Sequence, residues 1–167
     1  MQKNVQHHFE MNADDFFSKV YLNEEYIRRM HLEGMDNETF EILSQSGTLE
    51  TSFKRTIRTT PKLNAPKVVK KLLGDSVQYV EDGTYSPETK HYVFSLIPST
   101  LADKVKIQGD LWVESTGANQ MTRFCNLTFH ANIFGAGKVV EKFIAQSSIE
   151  NLEKSARFTH QWIRDHL

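Results

Sequence analysis

One cysteine in 167 residues excludes an internal disulfide and a sulfur-rich metal site, a usage that fits a reducing compartment. No stretch approaches the roughly 18 apolar residues of a membrane-spanning helix. The amino-terminal MQKNVQHHFE also lacks an apolar run of signal-peptide length, so a cytoplasmic location is expected. A surplus of either charge is missing too: 20 basic residues face 21 acidic ones, which argues against nucleic acid as a partner. The seven histidines form no His-x-x-x-His pair and none stands at zinc spacing from Cys125, so neither a metal nor another cofactor is expected. No serine has the Gly-x-Ser-x-Gly setting of a hydrolase, and Cys125, in mid-strand among apolar neighbours, suits a buried inert thiol. The paired carboxylates Asp14-Asp15 and Glu24-Glu25 open helices, where the helix dipole accounts for them.

What is present is enough apolar material, 39% of residues, for one packed domain spanning residues 1–167. Val5, His7, Phe9 and Met11 alternate with polar neighbours as a first strand, and Asn12 caps a helix over residues 13–22. A second short helix, residues 24–33, stops at Gly34. From Thr39 the period changes to two. Strands are expected at Phe40 and Ile42, at residues 49–59 with Phe53, Arg55 and Ile57 on one face, and near residues 77–80, 90–97, 105–114 and 120–133. Pro66 opens a helix over 67–73, and Asp82-Gly83, Pro98-Ser99 and Gly117-Ala118-Asn119 read as turns. A three-residue loop at 117–119 pairs Val113 with Arg123, Leu111 with Cys125, Gly109 with Leu127 and Ile107 with Phe129, and brings Trp112 to Phe124 on the other face. Residues 138–167 contain neither proline nor glycine and carry Val139, Val140, Phe143, Ile144, Ser147, Phe158 and Trp162 along one side of a long helix.

The stretch IFGAGKVVEKF, residues 133–143, has the glycines and lysine of a phosphate loop. Asn132 and Val139 stand where a Walker sequence needs glycine and a hydroxyl residue. Gly135 and Gly137 therefore read as the corner between a strand and the last helix.

This element order, with Tyr21-Leu22, Glu25-Tyr26, the arginine-bearing strand around residues 53–57, Pro66 and its helix, and Gly135 through Glu141, resembles the START-like (SRPBCC, Bet v 1-like) superfamily. Within it the chain is most similar to a bacterial family described only as a domain of unknown function. The resemblance implies an α+β helix-grip fold: a curved seven-stranded antiparallel sheet around a long C-terminal helix, with two short helices after the first strand. It also implies a deep apolar cavity between sheet and helix, but no particular reaction, since relatives include lipid carriers, aromatase or cyclase enzymes and regulators.

On that expectation a hydrophobic or amphipathic small molecule binds among Phe53, Ile57, Ile107, Leu111, Leu127, Phe129, Val140, Phe143 and Ser147. Arg55 and Arg123 share the parity of apolar residues in their strands, so each projects a charge inward. It must be met by an anionic ligand head, or by Glu81, Glu114 or solvent at the rim. His91 is either a polar group of the cavity or a satisfied core or surface histidine. An enzyme of the cyclase kind would use His91, Tyr92 or Arg55 to polarise a carbonyl, and an interaction module would use Trp112 and Phe124 around a filled core. Residues 54–71 hold seven basic residues and no acidic one. Within them, Lys67, Lys70 and Lys71 on the short helix suit transient contact with an anionic membrane, or a solvated helix closing the sheet.

Overall fold

The computed structural model describes residues 1–167. Strand β1 (Gln2–Phe9) ends where the Asn12 side chain accepts from the Asp14 amide and caps a 3₁₀ turn, Ala13–Asp15. The expected helix over 13–22 is thus irregular: the 3₁₀ turn widens into a π-helical turn, Phe16–Tyr21, which buries Phe16, Phe17, Val20 and Tyr21. Asn23 likewise caps α1 (Glu24–Arg29), which relaxes into a second π-helical turn, Met30–Gly34. Both segments trade helical regularity for packing against the C-terminal helix and sheet.

Strands β2 (Thr39–Thr48) and β3 (Ser52–Thr60), helix α2 (Lys67–Leu73) and strands β4 (Tyr79–Ser86), β5 (His91–Pro98), β6 (Val105–Gly117) and β7 (Gln120–Ala131) follow. They form one curved antiparallel sheet in the order β1-β7-β6-β5-β4-β3-β2, crossed by α3 (Gly137–His166). This is the helix-grip architecture. The β6–β7 register has Val113 opposite Arg123, Leu111 opposite Cys125, Gly109 opposite Leu127 and Ile107 opposite Phe129, as the sequence predicts. The loop itself is Ala118-Asn119 with a bulge between Ser115 and Gly117, which yields the same register as a longer loop. Asp82-Gly83 is no turn. It lies inside β4, and the chain reverses instead at residues 87–90, where Lys90 adopts a positive φ of 58°.

The reason for that difference lies on the concave face. Successive strands contribute one row Ile57, Glu81, Leu96, Ile107, Phe129 and a second row Arg55, Gly83, Phe94, Gly109, Leu127. A Cβ on Gly83 would collide with the Tyr92 hydroxyl, and one on Gly109 with the tip of the Phe94 ring. The two glycines let large aromatic rings lie flat on the sheet. At the far end, Gly135 has φ 71° and a Cβ on Gly137 would strike the Ala131 carbonyl, so the second glycine pair is the strand-to-helix corner the sequence suggests.

Helix α3 buries side chains fully only towards its two ends. Val140, Ile144 and Ala145 are buried near its start, and Ser155, Ala156, Thr159, Trp162 and Ile163 towards its end; Val139, expected on the inner side, is 45% exposed. Nothing between residues 146 and 154 is fully buried. Gly109→Ala is expected to lower stability by about 1–3 kcal/mol through overpacking against Phe94, measured by urea denaturation; an unchanged midpoint would show that the ring can move aside.

Candidate functional site

The unburied middle of α3 roofs a cavity of about 530 Å³. Its floor comes from Ile57, Tyr79, Glu81, Phe94, Leu96, Ile107, Leu111, Cys125 and Leu127 on the sheet, its side from Tyr21, Tyr26, Ile27, Met30 and His31, and its roof from Phe143, Ile144, Ser147 and neighbours to Ser155. Residues 35–37 and 61–64, with exposed Asp36, Lys62 and Asn64, border it where it approaches the surface. The volume lies within the roughly 300–1,000 Å³ of small-molecule sites.

Seven residues expected at a binding site line this cavity: Ile57, Ile107, Leu111, Arg123, Leu127, Phe143 and Ser147. Five do not. Phe129 and Val140, at 1% and 0% exposure, are consumed in core packing, and Phe53 packs half-buried at the sheet's side. Arg55 is buried under Tyr21 and Tyr92, whose rings each stand 5.7 Å from its Cζ, and Tyr21 covers it from the cavity. His91 belongs to the opposite face of the sheet. Its Nδ1 lies 2.6 Å from Asp110 Oδ1, and its ring stacks on Trp112, which stacks on Phe124, with centroid separations of 4.9 and 5.2 Å. Strand β5 is apolar on both parities (Tyr92, Phe94 and Leu96 against Val93 and Ile97), which is why alternation alone could not orient it.

Neither arginine forms an ion pair with a carboxylate. Arg55 donates from Nη1 to the Tyr21 carbonyl at 3.2 Å, while its Nε and Nη2 are buried without a protein acceptor. Arg123 is 1% exposed rather than at the solvent-facing hairpin tip. Its Nη2 serves His7 Nδ1 at 3.0 Å, Ser155 Oγ at 3.2 Å and the Leu152 carbonyl at 3.4 Å, and its Nε has no acceptor. Because Nδ1 of His7 accepts, its Nε2–H donates to Glu153 Oε1 at 3.0 Å, and burial together with the Arg123 charge keeps the imidazole neutral by lowering its pKa. Glu114, a partner considered for these arginines, instead accepts from the Trp112 indole nitrogen on the outer face.

Glu81 lines the cavity although the sequence pattern ends β4 at residue 80. It shares its parity with Tyr79 and Tyr85, the signal that could have found it. Its carboxylate accepts from the Tyr92 hydroxyl at 2.9 Å, and burial raises its pKa against the opposing pull of Arg55. Burial also drives the Cys125 thiol up to about 12, as expected of an inert core thiol. No three His, Cys, Asp or Glu side chains come together as a metal-binding group. The cavity is thus apolar in its deep part, around Ile107, Leu111, Leu127 and Phe143, with the Glu81 carboxyl and the Arg123 guanidinium set into its wall, and polar towards its border, where Asp36, Asn37, Lys62, Asn64, Gln146, Glu150, Asn151 and Lys154 lie.

A family model covers residues 4–163, nearly the whole chain. The chain belongs to the family described as protein of unknown function (DUF2505). No curated protein matches the sequence. Solved structures share the fold at low identity. A START superfamily protein from Mycobacterium smegmatis is 13% identical, covers 97% of this chain and 98% of its own, and has a TM-score of 0.64. The Zhui aromatase/cyclase from Streptomyces sp. R1128 is 12% identical, with 98% and 96% covered and a TM-score of 0.64. Norcoclaurine synthase from Thalictrum flavum, in complex with dopamine and hydroxybenzaldehyde, is 16% identical, with 100% and 89% covered and a TM-score of 0.65. The START-like, Bet v 1-like fold of the chain is thereby shown.

His31, on the cavity side, is 8% exposed, accepts at Nδ1 from Asn37 Nδ2 at 3.1 Å, and stacks on Phe40. Burial, reinforced by the Arg55 charge, pushes its pKa down from 6.5 to about 3. The unfolded chain therefore binds a proton that the folded chain refuses: the stability His31 contributes is complete above pH 6.5 and drains as pH falls toward 3. His31→Gln, which keeps an acceptor for Asn37, is expected to flatten the acid slope of stability by about 1.4 kcal/mol per pH unit between pH 6 and 4, read from urea denaturation at several pH values.

Proposed function

We propose that this protein binds a hydrophobic or amphipathic small molecule in the cavity between the sheet and α3, as a carrier or receptor rather than an enzyme. The observation that carries the reading is the cavity itself. Its middle is walled by Ile107, Leu111, Leu127 and Phe143, and α3 spans it without filling it. Keeping about 530 Å³ open in a core forgoes burial and dispersion that close packing would supply, a cost that a ligand of matching polarity offsets. Two neighbours of the same fold support the reading: the Thalictrum flavum structure holds small aromatic molecules, and the Mycobacterium smegmatis protein is named for the START superfamily.

The cyclase-like alternative is weakened because His91 and Arg55, two of the groups it needs, project from opposite faces of the sheet. An interaction module built on a filled core is at odds with the cavity, although the outer stack of Trp112 on Phe124 exists. Helix α2 adds a route for cargo. It follows residues 61–64 at the cavity border and buries Val69 and Leu73, leaving Val68 48% exposed beside Lys67 and Lys71, with Lys70 half-buried. That arrangement suits brief contact with an anionic bilayer while a ligand enters.

Binding of the fluorescent probe 1-anilinonaphthalene-8-sulfonate should be saturable in the wild-type protein and weakened at least fivefold by Ser147→Trp, which fills the roof; no binding, with no lipid retained in native mass spectra of gently purified protein, would overturn the reading. Co-sedimentation with phosphatidylglycerol vesicles at low salt should fall by more than half for Lys67→Glu/Lys71→Glu, and equal sedimentation of the two proteins would remove the membrane contact.

A further inference from the structure

The interior charges do not balance. Arg55 and Arg123, each 1% exposed, are the two charged residues among the fully buried side chains, and neither has a carboxylate within 4.0 Å. Three carboxylates border the cavity. Asp36 is exposed and paired with Lys62, Glu150 is exposed and accepts from Gln146, and Glu81 is engaged with the Tyr92 hydroxyl. Only the exposed Glu153 reaches Arg123, and it does so through the neutral ring of His7. A guanidinium held in low dielectric without a direct counterion is costly to retain.

The donor geometry of Arg123 gives the imbalance a direction. Every hydrogen bond it makes runs through Nη2, on the side of His7, Leu152 and Ser155. Phe9 covers it, with the ring centroid 5.3 Å from Cζ, so both the packing and the neighbours on β1 and α3 fix the plane of the group. Nε is buried with no protein acceptor, and the residue forms part of the cavity wall. Around it the wall is apolar: Cys125 and Leu127 follow on the same strand, Leu111 and Ile107 on the next. A preorientated cation beside the apolar deep part of the cavity, whose other charged and amide side chains gather mainly near the border at Asp36, Lys62, Asn64, Glu150 and Lys154, recognises a molecule with one anionic end and a hydrocarbon body.

We propose that the ligand is an aliphatic monocarboxylate, whose head accepts from Arg123 while its chain lies along Leu111, Leu127 and Ile107. The assignment rests on the ligand-binding reading above and names its chemical class. Arg55, screened by Tyr21, is not part of the proposed contact.

The test compares dodecanoate, dodecanol and dodecyltrimethylammonium by calorimetry on the full chain at pH 8. Wild-type protein should bind dodecanoate at least tenfold tighter than dodecanol and reject the cation. Arg123→Gln should bring dodecanoate down to the affinity of dodecanol while leaving dodecanol within twofold, with circular dichroism confirming that the variant is folded. Should the variant not fold, the Nε–H resonances of the wild-type arginines supply the readout: dodecanoate should shift one of them and dodecanol none. Equal affinity for acid and alcohol, or unshifted arginine resonances at saturation with dodecanoate, overturns the carboxylate assignment and leaves the cavity reading standing. Failure of every amphiphile to bind overturns both.

Discussion

A long helix laid across a curved sheet buries its side chains fully only towards its two ends, and this geometry governs the rest of the molecule. The 30 residues of α3 rise about 1.5 Å each. Its apolar contacts concentrate at Val140 to Ala145 and at Ser155 to Ile163. Between them lies the stretch QSSIENLEK, of which Gln146, Ser147, Ser148, Glu150, Asn151, Leu152 and Lys154 line the cavity and none is fully buried. On the facing surface, Gly83 and Gly109 let Tyr92 and Phe94 lie down rather than stand up into the space. Helix and sheet therefore withhold volume from the same place, and the cavity follows from both.

The polar groups inside follow from the same constraint. Burial in the deep wall of the chamber raises the cost of a charge, and the structure answers each one differently. Burial raises the pKa of Glu81, whose carboxyl accepts from the Tyr92 hydroxyl. His31 stays neutral beside Asn37 and Phe40. The two arginines cannot shed their protons, so they lie against aromatic rings, Arg55 beside the touching pair Tyr21 and Tyr92 and Arg123 on Phe9, and give carbonyl, hydroxyl and imidazole acceptors what hydrogen bonds they can. The outer face of the sheet, by contrast, keeps its charged and aromatic groups paired in the open, with His91 against Asp110 and Trp112 against Phe124.

Several features are legible in the chain itself, each because a local rule governs it. The β6–β7 register follows from matching two apolar rows across a short loop, and the glycine corner at 135–137 from a failed phosphate-loop spacing. The inward aim of Arg55 and Arg123 follows from strand parity alone. Where two rules compete, local pattern misleads. Asp82-Gly83 has the chemistry of a turn, but Gly83 is needed flat beneath Tyr92, and the tertiary need prevails. Reading a turn there cuts β4 short and hides Glu81.

By itself, the sequence determined the order of elements and the presence of two cations on the apolar side of the sheet, because periodicity, caps and turn residues act over a few neighbouring positions. The curved-sheet-and-helix class was implied by the resemblance of that order and its motifs to a known superfamily. Only the tertiary structure decided which face of β5 is inside, that Tyr21 closes over Arg55 while Arg123 forms part of the cavity wall, and that His7 stands between Arg123 and Glu153. Those outcomes depend on residues separated by as many as 146 positions meeting in one place, a matter of packing that no local pattern encodes.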